Sequence, residues 1–202
     1  MKKIIAAISI ASVLVLTGCS QVGAAATIGS TKITQAQVQT SIDTILAERA
    51  KVDTSQMQLE TGEALNRSQL RFFIVSKLLH EVAADDKITV TKAEIDTRRA
   101  SIISQIGGAD KLPQSIAGAG IASINLDAYL ELIIISEKMT TAATAAGVDP
   151  NSVGAEIQKQ ITAKADTLKI TVNPRYGKWD AVAGDIVAND PASPAASPAT
   201  AP

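Results

Sequence analysis

The chain of 202 residues holds one cysteine and one histidine. A lone cysteine permits no internal disulfide, and one Cys with one His cannot supply the roughly four ligands of a tetrahedral zinc site. His80 would have to serve alone in any Ser-His-Asp arrangement, and the sequence carries neither a nucleophile elbow nor a Gly-rich phosphate loop. No enzymatic activity, cofactor or metal is expected. Aromatic residues are equally sparse, at 2%. A core built from Ile, Leu, Val and Ala suits helix packing better than an aromatic-rich sandwich. Charge of either sign is also missing in excess: 19 Lys plus Arg against 20 Asp plus Glu leave a formal net charge of -1. Nucleic acid is not expected as a partner, because such affinity comes mainly from basic groups that neutralise phosphates.

What the sequence does have is a distinctive front. Lys2 and Lys3 form a positive n-region, Ile4 to Leu16 is apolar without a charge, and the run ends Leu16-Thr17-Gly18-Cys19. A secretory signal usually closes on an Ala-x-Ala-like site. This ending instead resembles the bacterial lipobox, in which the cysteine thiol takes a diacylglycerol group and the leader is removed before it. The apolar run is short for a stable span, which needs about 20 residues, whereas acyl chains contribute about 0.8 kcal/mol per buried CH₂. Residues 1–18 are therefore expected to be a lipoprotein signal peptide. Cys19 is the lipidated residue, 19–26 a spacer, and the outer face of a bacterial cell membrane the location. At the other end, Asp190 onward reads DPASPAASPATAP, which cannot bury enough apolar area to offset the entropy of ordering. Residues 181–202 are expected to be a disordered tail, which leaves 27–180 as one domain.

Within that domain the periodicity is mostly helical. Thr27-Ile28 and Thr31-Lys32-Ile33 flank a Gly29-Ser30 turn, and Thr34 with Gln37 forms a capping box before Val38, Ile42 and Ile45. A long second helix runs from about Thr61 to Asp86 with Leu70, Ile74, Leu78 and Val82 in a broad stripe. Thr91 and Glu94 cap a third helix that stops at Gly107-Gly108. A short helix fits 109–117, Asn125 opens another long one, and Asp149-Pro150 is expected to open the last. Leu168-Lys169-Ile170-Thr171-Val172 alternates like a half-exposed strand and should pair with the early extended element. The fold expected is mostly α: about five helices around a long central helix, with a small two-stranded β element joining the two ends of the domain.

The order of these parts resembles a known family. The strand, turn and capped helix from Ala26 to Thr34, the Gln69-Leu70-Arg71-Phe72-Phe73-Ile74 segment and the step Ala83-Ala84-Asp85-Asp86-Lys87-Ile88-Thr89-Val90-Thr91-Lys92-Ala93-Glu94-Ile95 are similar to the N-terminal chaperone domain of SurA, related to PrsA and trigger factor. The ending Asn173-Pro174-Arg175-Tyr176-Gly177-Lys178-Trp179-Asp180 resembles that of actinobacterial SurA-like lipoproteins. The resemblance implies binding of unfolded or partly folded exported proteins by a membrane-tethered, ATP-free holdase. Its relatives commonly carry a parvulin isomerase domain of about 100 residues, for which neither 107–125 nor the chain after Asp180 offers room. Two rival readings stand beside it: an assembly or scaffold lipoprotein with one dedicated partner, and a residual prolyl isomerase dependent on His80.

Candidate client contacts are Phe72, Phe73, Leu79, Ile133, Ile134, Ile135 and Met139, set against the plainer reading that apolar residues at helical spacing are packed core. The run Leu132-Ile133-Ile134-Ile135 faces all sides of a helix and cannot all point inward unless partners surround it. His80, beside Glu81, reads as a structural histidine, and Arg98-Arg99 as a solvated face. In the ending Asn173, Pro174, Arg175, Tyr176, Gly177, Trp179 and Asp180 are structural, with the two rings expected to fold over the hairpin and close the core.

Overall fold

The computed structural model describes residues 23–189. Cys19, the leader expected at 1–18 and the segment from 190 onward lie outside them. β1 (Ala24–Ile28) turns through Gly29, at φ +55°, into β2 (Thr31–Thr34). The chain then enters α1 (Gln35–Arg49) through a complete Thr34–Gln37 capping box. Domain order thus begins at Ala24 and not at Thr27. Ala24, Ala25 and Ala26 are buried because β1 is the middle strand of the sheet β2-β1-β3 and helices cover it. Three small alanines followed by the fully buried Ile28 carry no alternating pattern, so the segment looks like a spacer in the sequence.

α2 (Gly62–Asp85) is the organising element, packing against α1, β1, α5 and α6. Its two apolar faces serve different cores. Leu65, Leu70, Ile74 and Leu78 join the sheet, Val38, Ile42 and Ile45 of α1, while Leu79, Val82 and Ala83 join Leu132, Ile135 and Met139. The helix closes with a 6→1 bond from Ile88 N–H to Ala83 C=O (2.7 Å) and a 5→2 bond from Lys87 N–H to Ala84 C=O (3.2 Å). This is a Schellman closure, with Lys87 at φ +56° where glycine usually stands. Ile88 then packs onto the second core, which explains the Asp-Asp-Lys-Ile step physically.

α3 (Lys92–Gln105) starts at the expected Thr91–Glu94 capping box. A single 3₁₀ turn (Ala109–Lys111) precedes α4 (Leu112–Gly118), and another (Ser123–Asn125) precedes α5 (Leu126–Ala145). The final helix, α6 (Val153–Leu168), begins later than Asp149-Pro150 predicts. The Asp149 carboxylate accepts Asn151 N–H (2.8 Å) and its carbonyl accepts Ser152 N–H (2.8 Å). That side-chain turn is completed before the helix starts.

Lys169, at φ +51°, swings the chain into β3 (Ile170–Val172), which pairs antiparallel with β1 in the register Ala26↔Val172, Thr27↔Thr171, Ile28↔Ile170. The ends of the domain are joined as expected, though by three strands. Beyond it, β4 (Lys178–Asp180) pairs with β5 (Asp185–Val187). The boundary expected at 180 is therefore too early, because Ile186 is buried in the main core and Arg71 holds the ribbon through Gly184 C=O (3.0 Å) and Asp185 (3.4 Å).

Candidate functional site

Phe72, Val75 and Leu79 recur along one side of α2, and Tyr129, Leu132, Ile133 and Ser136 along one side of α5. Spacings of three, four and seven put each set on one helix face. Between them runs an apolar groove. Its upper part, about 580 Å³, is bounded by Val75, Leu79, Tyr129, Leu132 and Ile133, with Glu137, Thr140 and Thr141 at the far end. The lower part, about 450 Å³, shares Val75, Tyr129 and Leu132 and adds Phe72, Ile121 and Ala122 over a polar floor.

On that floor Gln69, Asn125 and Gly120 are connected with Ser41 beneath them. Ser41 is fully buried and Gln69 only 5% exposed. Ser41 Oγ donates to Gln69 Oε1 (2.7 Å), Asn125 Nδ2 donates to Ser41 Oγ (2.9 Å), and Gln69 Nε2 donates to Gly120 C=O (3.0 Å). Every member has a partner, as buried polar groups require. Beside them Arg49 donates from Nη1 to Glu60 C=O (2.7 Å) and from Nε to Ala117 C=O (3.4 Å), tying segment 50–60 and α4 to the end of α1. Burial pushes its guanidinium below the ordinary arginine value, an effect opposed by the charge of Glu60.

The candidate contacts divide between groove and core. Phe72, Leu79 and Ile133 border the groove. Phe73 meets Phe72 edge to face (5.3 Å between centroids, 66°) but packs onto the sheet core. Ile135 and Met139, 2% and 3% exposed, are sealed inside the second core. Ile134 points the other way, into a shallow cavity against α3 with Ala93, Thr97 and Lys138. The four-residue apolar run is accommodated because α2, α3 and α6 all pack on α5. Val75, Tyr129, Arg49 and Gln69 were not singled out from the sequence. The signal for the first two is their three-residue spacing from Phe72 and Leu132. Nothing local marks Arg49 or Gln69 as buried.

Packing corrects the reading of one charged pair and places His80 in a structural role. Arg98 and Arg99 are not a solvated face: they pair with Glu137 and Asp127 and so clamp α3 to α5. Glu81 pairs with Lys77, and His80 instead bridges Ser76 C=O (2.7 Å from Nδ1) and Glu131 (3.3 Å from Nε2), joining α2 to α5. Among the described residues no group of three His, Cys, Asp or Glu side chains could hold a metal ion.

The C-terminal ending closes the domain. Asn173 donates from its backbone to Ala25 C=O (2.9 Å) and from Nδ2 to Ala24 C=O (3.1 Å), while its Oδ1 accepts Arg175 N–H (3.1 Å). Pro174 follows in the same turn, where its carbonyl accepts Gly177 N–H (3.2 Å). Arg175 lies 5.3 Å over the Tyr176 ring and donates to Gln35 Oε1 (2.9 Å). Tyr176 is buried in the sheet core and Trp179 packs against it, as expected of the ring pair; the Trp179 indole N–H is buried with no partner among the described residues. Asp180 Oδ1 caps the ribbon turn by accepting Val182 and Ala183 N–H (2.9 and 3.0 Å).

A hairpin and capped helix leading into a long α2, with the Schellman step into α3, is the arrangement on which the resemblance rested. The family model described as SurA-like N-terminal domain matches residues 1–104. The chain belongs to this family. It is a chaperone-type family. The matched range supplies the α2 wall of the groove, whereas the α5 wall and the Asn173–Asp180 closure lie outside it. No curated protein and no solved structure matches the chain.

Proposed function

We propose that the protein is a holdase: it holds non-native segments of exported proteins in the α2–α5 groove and is tethered to the outer face of the membrane by lipid on Cys19. The observation that carries the reading is an apolar groove, lined by Phe72, Val75, Leu79, Leu132 and Ile133, in a chain of a chaperone-type family. An apolar, polar-rimmed groove suits segments that are normally buried and selects little among them. Each client Leu or Phe side chain taken out of water contributes about 1.5–3 kcal/mol. Two or three of them supply about 3–9 kcal/mol before the cost of ordering the client, so binding is weaker than micromolar. Release without a nucleotide is consistent with that weakness. The tether rests on the order of Lys2-Lys3, the apolar run and Leu16-Thr17-Gly18-Cys19.

Suppression of aggregation of a chemically denatured client by the full chain in mild detergent tests the groove. Val75→Asp places a charge in the open groove at a half-buried position that also packs against the second core; it should abolish protection at a cost of about 1–3 kcal/mol in stability, with circular dichroism checking that the variant is still folded. No protection by the wild-type chain in excess over client would sink the holdase reading. For the tether, mass spectrometry of the mature protein should find diacylglyceryl-Cys19 as the first residue, and an intact leader in Cys19→Ser. An unmodified cysteine behind a retained leader would refute it.

A further inference from the structure

Arg49 is 9% exposed and pairs with no carboxylate among the described residues, unlike Arg67, Arg71, Arg98 and Arg99. Its bonds go to two neutral backbone carbonyls. A buried guanidinium without a counter-charge carries a desolvation cost that an incoming anion would offset, and its charge persists at any physiological pH. Glu60 acts on it through space, yet it is exposed and lends Arg49 only its backbone oxygen.

Position adds a second constraint. The upper groove has two walls, α2 and α5, whereas the lower cavity also meets Arg49 at the end of α1, segment 58–60 and loop 118–122. These extra segments stop the groove at its polar end. An extended chain lying along α2 and α5 terminates there, over Arg49, with Tyr129 and Leu132 beside its last apolar side chains. The charged side chains lining the cavity are Arg49, Arg71 and Glu60, two cations against one anion, so of the two chain ends a carboxylate is favoured over an ammonium, and the bidentate fork of guanidinium suits its two oxygens.

The geometry points to the lower cavity being a carboxylate subsite that receives the C-terminus of a bound polypeptide on Arg49. This inference rests on the holdase reading of the groove and assigns its polarity: the client's C-terminus sits at the α1 end and its preceding residues run toward Ser136 and Thr140.

The test is fluorescence anisotropy with an N-terminally fluorescein-labelled peptide of alternating Ala, Leu and Phe. It is made as the free acid, as the C-terminal amide, and as an amide with one interior Asp. On the full wild-type chain the free acid should bind about ten-fold tighter than the amide, as one charge-assisted pair would give. The interior-Asp amide should resemble the plain amide. Arg49→Gln should bring the acid-to-amide ratio to about one, and Glu60→Gln should tighten the acid alone. If Arg49→Gln fails to fold, the wild-type ratio and the Glu60→Gln arm still decide. Equal binding of acid and amide would overturn the subsite while leaving the groove reading intact. An interior-Asp peptide that matches the free acid would overturn the chain-end assignment. No binding by any of the peptides would overturn the groove reading and this inference together.

Discussion

Gly177→Ala is the sharpest probe of whether the C-terminal ribbon belongs to the folded domain. Gly177 has φ +121°, and a Cβ built on it would stand 2.1 Å from the Val187 carbonyl oxygen and 3.2 Å from Ile186 Cγ2. Even a close C···O contact is about 3.3 Å. The backbone at 187 would thus have to retreat by roughly 1.2 Å, enough to break the Lys178↔Val187 pair at the open end of the β4–β5 ladder. Backbone strain of an L-residue at this φ costs about 1–3 kcal/mol, and one lost ladder bond about 0.5–1.5 kcal/mol. The competing escape is release of the ribbon, which forfeits the burial of Ile186, about 1.5–3 kcal/mol, and the exposed Arg71 contacts to Gly184 and Asp185. The cheaper route sets the result, so destabilisation should fall at about 2–4 kcal/mol. Trp179 is the one tryptophan of the chain and sits on β4, so its fluorescence reports the ribbon while far-UV circular dichroism reports the helices. In urea the Trp179 transition of the variant should precede the helical one, with a red-shifted emission before unfolding. Coincident transitions within about 0.5 kcal/mol of wild type would refute the claim that this ending closes the core.

Three further outcomes follow from the packing. Gln69→Ala leaves the buried Ser41 hydroxyl without its acceptor and the half-buried Gly120 C=O without its donor and should cost about 1–3 kcal/mol. In a double-mutant cycle with Ser41→Ala the two losses should sum to less than their separate values, and strict additivity would count against a shared network. Lys87→Gly relieves a left-handed residue at an exposed helix end and should stabilise by about 0.5–1 kcal/mol by urea titration; a loss of stability would show that Lys87 makes contacts worth more than its strain. Glu94 is held down to about 2 from its ordinary 4.5, first by Lys138 and then by the Thr91 backbone and side chain. Because the folded value is the lower one, its contribution is present above pH 4.5 and disappears as pH falls toward about 2. The stability gap between wild type and Glu94→Gln should therefore close over that window, and a gap independent of pH would refute the assignment.

Local chemistry was legible and distant packing was not. Both capping boxes, Thr34–Gln37 and Thr91–Glu94, are interactions between residues three apart, so the residue types and spacing are the whole mechanism. The pairing of β3 with β1 was also expected, since an alternating segment needs a partner and few were on offer. Asp149-Pro150 misled because two local mechanisms compete there, and the aspartate side-chain turn prevailed over the helix start. The alanines of β1 carry no periodic signal, and β5 is too short to show one. Apolarity does not separate a groove residue from a core residue, because Phe72 at the groove and Met139 in the core share it equally.

The sequence by itself determined a helical class, the two capping-box helix starts and the family, because composition and near-neighbour spacing act along the chain. Tertiary structure alone decided that Arg49 is buried and forms no ion pair among the described residues, that Arg98 and Arg99 clamp α3 to α5, and that the α2–α5 groove ends at loop 118–122. Each of these depends on which helices meet across long stretches of sequence. Desolvation and ion pairing are properties of that meeting and not of any residue's neighbours in the chain.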